Sequence, residues 1–119
     1  MENKNEQERS RYNQLIITNE KKVDDLSNDQ RKMEDSLLFL NEDIQRGYRN
    51  LDMINEEDLR EGDHETLRLQ RMNDEQEQLF KRQLQETEED VLDSYTRQRR
   101  VLDDETEDLY KKRSDIPWD

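Results

Sequence analysis

"YNQLIITNEKKVDDLSNDQRKMEDSLLFLNEDIQRGYRNLDMI", residues 12–54, decides the fold. Stepping alternately by four and three from Tyr12 gives Ile16, Asn19, Val23, Leu26, Gln30, Met33, Leu37, Leu40, Ile44, Gly47, Leu51 and Ile54. Ten of the thirteen positions are apolar, in a chain only 28% hydrophobic. A sustained heptad of this kind is the seam of a coiled coil. Asn19 and Gln30 interrupt it. A polar seam residue costs stability and fixes register or partner choice, so both are candidate register and specificity residues, unless they sit at the seam's edge and reach water.

The second half is also helical, with a different phase. Leu69, Phe80, Val91 and Leu102 recur every eleven residues, as do Leu84 and Tyr95. Eleven residues correspond to about 3.67 per turn, against 3.5 for a heptad. Gln76, Thr87 and Gln98 share that face, which predicts a more polar seam. Mismatched periods predict an imperfect hairpin with sections that splay or twist. Between the halves, "NEEDLREGDHE" (residues 55–65) carries the turn. Gly62 suits the residue just past a helix and Asp63 the N-cap of the next, with Asn55 a rival N-cap. Pro117 disfavours helix at Ile116, which predicts a stop around Arg113.

The expected fold is all-α: an antiparallel two-helix hairpin of long, coiled-coil-like helices forming a single unit over residues 1–119, which associates into a larger helical bundle. Helix 1 is expected over about 8–55, the turn at 56–63, helix 2 over 64–114 and a tail at 115–119. Acid-before-base pairs at i, i+4 support the exposed faces: Glu42–Arg46, Glu56–Arg60, Glu77–Lys81, Asp93–Arg97 and Glu107–Lys111. Each adds about 0.2 to 0.5 kcal/mol to a helix.

Composition narrows function. A net charge of −13 opposes binding to nucleic acid or to anionic membrane. The longest apolar run is four residues, too short to insert into a bilayer. "MENKNEQERSRYNQ" lacks the apolar core of a cleavable signal peptide. The expected location is therefore the cytoplasm, unless a signal-peptide-independent route exports the chain. Catalysis and metal binding find little footing. The chain has one His and no Cys. Glu61 and His64 make a single ExxH where di-iron bundles use two, and Arg68 replaces the second His of a zincin-like motif. Neither an enzyme nor a cofactor is expected. The basic "RQRR" at 97–100 lies between acidic runs and suits charge balance between helices better than phosphate binding.

"SLLFL", residues 36–40, holds more apolar surface than a single seam can cover. The heptad takes Leu37 and Leu40. Leu38 shares a slot with Ile17, and Phe39 with Met53, which predicts a second stripe along one flank. Folding the chain near residue 59 sets Leu37 to Leu40 opposite Leu79 and Phe80, and Leu15 to Ile17 opposite Val101 and Leu102. Aligned apolar clusters mark an interface. The expected partner contacts are Ile17, Leu38, Phe39, Met53, Leu79, Phe80 and Leu92.

A Cys-free, acidic helical hairpin of this length, without a signal peptide and with a surplus apolar flank, resembles the small proteins of the Gram-positive type VII secretion pathway. The Trp-x-Gly turn of that family is missing, since Gly62 has no nearby Trp and the only Trp is Trp118. The tail motif YxxxD is missing as well, because Arg99 follows Tyr95, Ser114 follows Tyr110, and the YxxxD at Tyr48 and Asp52 lies in the first helix. The chain is closer to the WXG-like accessory, or targeting, proteins of LXG toxins, including its late "EDLYKKRSDIPW". That resemblance implies a non-enzymatic adaptor that binds the helical N-terminal domain of a toxin and promotes its type VIIb export. It also admits a second small helical accessory protein as partner. Two other readings compete: a coiled-coil protein that self-associates, as a homodimer for example, and a prefoldin-like chaperone subunit.

Overall fold

The computed structural model describes residues 3–118 and is an all-α antiparallel hairpin of two helices, α1 (Lys4–Arg60) and α2 (His64–Ser114). Abundant Leu, Glu, Gln, Lys and Arg favour helix, and the only Pro comes after α2 has ended. α1 is capped by Asn3, whose Oδ1 accepts from the Glu6 amide at 2.8 Å. It starts before the expected residue 8 because Asn3 caps it, and it runs past the expected residue 55, so that Asn55, the rival N-cap, lies inside it. The Asn55 side chain instead donates to Gln70 Oε1 at 3.0 Å.

The turn is compact. The Gly62 amide donates to the Leu59 carbonyl at 3.1 Å, and the Asp63 amide donates to the Asp58 carbonyl at 3.2 Å. This is a Schellman motif, and it requires the positive φ of +82° that Gly62 adopts. Asp63 closes α1 and opens α2 at once: its Oδ1 accepts the amides of Glu65 (3.0 Å) and Thr66 (3.4 Å). Hydrogen bonds from the Thr66 hydroxyl, the Thr66 amide and the Glu65 amide hold the Asp63 carboxyl below its ordinary pKa. A lowered folded-state pKa means that this cap stabilises the fold above the usual carboxylate range. The contribution is lost as pH falls through the lowered value. Asp63→Ala is expected to reduce the melting midpoint by roughly 3 to 6 °C at neutral pH. In thermal circular dichroism, the gap between the variant and the native chain should narrow by about pH 3.

The chain divides into two units: unit 1, residues 1–31 with 92–119, and unit 2, residues 32–91. In unit 1, Arg9 Nη1 donates to the Pro117 carbonyl at 2.6 Å, and its guanidinium sits 4.2 Å from the centre of the Trp118 ring. Arg113 donates to Asn13 at 2.8 Å, and the Tyr110 hydroxyl to Glu20 at 3.1 Å. In unit 2, the Tyr48 hydroxyl donates to Gln76 at 3.4 Å, with the Tyr48 and Phe80 ring centres 6.3 Å apart. Gln70 Nε2 bridges the carboxylates of Asp52 and Asp74.

These cross-helix pairs centre the hairpin near residue 62 rather than 59, which corrects the expected register by roughly one heptad. Leu37 to Leu40 lie level with residues 85–88, and Phe80 lies level with Tyr48. Leu15 to Ile17 lie level with residues 108–110 rather than with Val101 and Leu102. The cause is the turn, which the Schellman motif places wholly on residues 61–63.

The seam also changes phase. In unit 1, α1 keeps the heptad: Ile16 and Asn19 are buried, with Tyr12, Val23, Leu26 and Gln30 half-buried. In unit 2, Leu37 is buried and Asn41, Ile44, Tyr48 and Asn55 are half-buried. Met33, Leu40, Gly47, Leu51 and Ile54, expected in the seam, are exposed instead. Two successive steps of four, 33 to 37 to 41, make a stutter. α2 does the same. Thr66, Gln70, Asn73, Glu77, Leu84 and Val91 follow one heptad phase, then Tyr95, Leu102 and Leu109 follow another, which Ile116 continues just past the helix end. The eleven-residue spacings Leu84–Tyr95 and Val91–Leu102 span that single stutter. They are not a sustained repeat, since Leu69 and Phe80 are exposed. Both phase changes fall where the chain passes between units.

Ion pairs along the helices join Glu56 to Arg60 (2.8 Å), Glu77 to Lys81 (3.4 Å) and Glu107 to Lys111 (3.5 Å). Arg46 turns to Asp43 at 3.0 Å rather than to Glu42, and in the basic cluster it is Arg99 that pairs, with Asp103 at 3.7 Å.

Candidate partner-binding face

Among the described residues, four hydrophobic side chains are buried: Ile16, Leu37, Leu84 and Ile116. Eighteen large ones are exposed. Two-thirds of the exposed set belong to unit 2, and they are not scattered.

Consecutive residues on a helix are about 100° apart. Measured from the seam of α1 in unit 2, Met33, Leu40, Gly47, Leu51 and Ile54 are rotated by roughly 45 to 105° toward one side. On α2, Leu69, Met72, Gln76 and Phe80 are rotated from their seam by roughly 50 to 130° in the same sense, with Leu79 just beyond them. Viewed from their own N-termini, antiparallel helices run in opposite directions, and their seams also point in opposite directions. The two reversals cancel, so both stripes lie on the same side of unit 2. Levels match too, with Ile54 and Leu51 beside Leu69 and Met72, and Gly47 beside Leu79 and Phe80.

The stutter creates this face. Residues 33, 40, 47 and 54 keep heptad spacing after the seam has moved one position on, so apolar side chains that would have packed inside are turned outward. Gly47 leaves a gap in the row: a Cβ built there meets nothing within 4 Å. Leu69, Met72, Asn73, Glu75, Gln76 and Leu79 line a shallow depression on α2. From Leu69 to Thr87 the α2 stripe is uncharged, and Asp43 is the one charge between Met33 and Ile54 on the α1 stripe. In a chain that is 45% charged, such a stretch is unusual.

Gly47 has no steric reason to be glycine within the hairpin. Gly47→Ala should raise helix stability by about 0.5 to 1 kcal/mol, read as a higher midpoint in thermal circular dichroism.

The expected contact residues divide. All seven are exposed. Phe80 lies on the face and Leu79 on its border. Leu38 points to the opposite side of unit 2, while Phe39 and Met53 lie on the side of α1 turned away from the seam. The single flank expected for Leu38 and Phe39 is therefore corrected, because Leu38 lies roughly 90° to one side of the seam and Phe39 almost directly opposite it. Ile17 and Leu92 belong to unit 1, where the exposed hydrophobes stand singly. As contacts, the sequence reading missed Met33, Leu40, Leu51, Ile54, Leu69 and Met72. The strict seven-residue spacing of 33, 40, 47 and 54 was the available signal. Of the proposed register residues, Asn19 is buried at 7% exposure in the seam of unit 1. Gln30 is half-buried and borders a depression with Tyr95, Arg99 and Arg100.

Among the described residues, no group of three or more His, Asp or Glu side chains is placed to hold a metal ion. Glu61 lies in the turn and His64 opens α2. No described helix is long and apolar enough to cross a membrane. No protein-family model, curated protein or solved structure matches this chain.

Proposed function

We propose that this chain is a non-enzymatic adaptor that binds the helical N-terminal domain of an LXG toxin and promotes its export by a type VIIb pathway. The proposal places it in the cytoplasm before export. The unpartnered apolar face of unit 2 carries this reading. Burying a Leu-like side chain is worth about 1.5 to 3 kcal/mol, and a third helix laid along Leu40, Ile54, Met72 and Phe80 would bury several. A helical client supplies such a surface without needing a cavity, and the Gly47 gap accepts one large side chain from it as a knob enters a hole.

The test is to seek a gene for an LXG domain beside the one for this chain and to co-express the two. A stoichiometric complex on size exclusion, and loss of toxin export when the chain is deleted, are the expected results. Failure of the two to co-purify would overturn the proposal.

Self-association through the same face is the second reading, favoured by the excess of exposed over buried hydrophobes. Light scattering on the isolated chain separates the two, because a tight homo-oligomer would already have covered the face. A prefoldin-like subunit fits less well, since residues 51–66, where its strands would lie, run as helix, Schellman turn and helix.

A further inference from the structure

The charge on this chain is unevenly placed. Unit 1 holds 12 basic and 15 acidic residues, a net −3; unit 2 holds 8 and 18, a net −10. The unit with the apolar face thus carries most of the excess negative charge. Asp43 on α1, and Asp58 and Glu65 toward the turn, border the face itself, and Glu75 lines the depression on α2, while Lys32 and Arg68 stand at the outer edges. Arg46 neutralises Asp43 across 3.0 Å, yet ten uncompensated charges remain in the unit.

We infer that the occupant of this face is a basic amphipathic helix: one apolar stripe, flanked on both sides by Lys or Arg. The inference rests on the face being a docking surface, as proposed above, and adds the chemistry of what docks. A second copy would bring a net −10 against a net −10 at helix-packing distance, about 8 to 10 Å. That is about one Debye length at physiological salt, so screening weakens the repulsion without removing it. A helix with basic flanks turns the same field into attraction and faster encounter, while its apolar stripe covers Leu40, Ile54, Met72 and Phe80.

Two synthetic helical peptides with one Leu stripe between them test this, one flanked by Lys and Arg and the other by Glu. Each is titrated with the full chain by fluorescence anisotropy at low salt and at roughly 0.5 M salt. The basic peptide should bind saturably, at least about tenfold tighter than the acidic one, with the advantage shrinking at high salt. Binding should be lost in Ile54→Asp with Met72→Asp. That variant is more acidic than the native chain, so purely ionic adhesion would strengthen in it. Retained binding in the variant would overturn the proposal. Equal binding of both peptides, lost in the variant, would overturn the charge requirement and leave the docking face standing. Binding of neither peptide would overturn both. A tight self-dimer that protects Ile54 and Met72 would overturn the basic-helix occupant in favour of a second copy.

Discussion

Ile54→Asp combined with Met72→Asp abolishes capture of a helical client and leaves the hairpin folded; this is the expected result of co-purification paired with circular dichroism. Both side chains are more than half exposed, so removing them takes nothing from the hairpin's own core. Placing two carboxylates in the centre of a client interface leaves them desolvated and unpaired, at a cost of several kcal/mol, enough to lower affinity by about a thousandfold or more. The comparison is Leu38→Asp with Phe39→Asp. These sit on other faces of α1, and this pair should bind the client within about threefold of the native chain. Ile54→Gln with Met72→Gln provides a version with better helix propensity. If the Leu38 and Phe39 pair is the one that loses the client, the binding surface lies on the outer side of α1 and the stutter-derived face has no part in it.

The second large effect is on stability. Leu84→Ala should cost about 2 to 3 kcal/mol, at the lower end of buried leucine truncations because Ala is the better helix former. That lowers the midpoint by roughly 10 °C, as read by thermal circular dichroism. Leu84 is one of four buried hydrophobic side chains among the described residues, and the seam of unit 2 around it combines Leu37 and Ile44 with the polar Asn41, Gln45, Glu77 and Lys81. Little else replaces it. Leu92→Ala, a few residues along the same helix but exposed, should shift the midpoint by no more than a degree or two. Equal losses in the two variants would mean that the seam does not run through residue 84.

The hairpin, the Gly62 and Asp63 turn and the stop before Pro117 were legible in the sequence because each rests on local chemistry. Positive φ, amide capping and a missing amide donor act within a few residues, whatever happens elsewhere. The seam beyond residue 33 was not legible by the same means. A heptad template assumes constant phase, whereas an α-helix that does not supercoil drifts about 20° per heptad. From Tyr12 to Leu40 is four heptads, or about 80°, close to the 100° of one residue. The contact line therefore passes from Leu40 to Asn41. Apolar identity pointed one way and geometry the other, and the residues caught between them became the candidate face. The register failed for a related reason, since moving the turn by three or four residues moves every opposed pair by about seven.

Sequence separation differs sharply between the two units. The pairs Asn55–Gln70, Asp52–Gln70 and Tyr48–Gln76 in unit 2 join residues 15, 18 and 28 apart. The pairs Glu20–Tyr110, Asn13–Arg113 and Arg9–Pro117 in unit 1 join residues 90, 100 and 108 apart. Closing the longer loops from an open chain costs about 1.5 kcal/mol more. By this cost, folding is expected to start at the turn and zip outward, with the unit 1 part of α1 (residues 4–31) paired only once α2 beyond residue 92 has been synthesised. The segment that bears the apolar face is the first to take shape, so a client can meet that face on a half-zipped hairpin. Capture of the proposed client during synthesis is then kinetically open before unit 1 has paired.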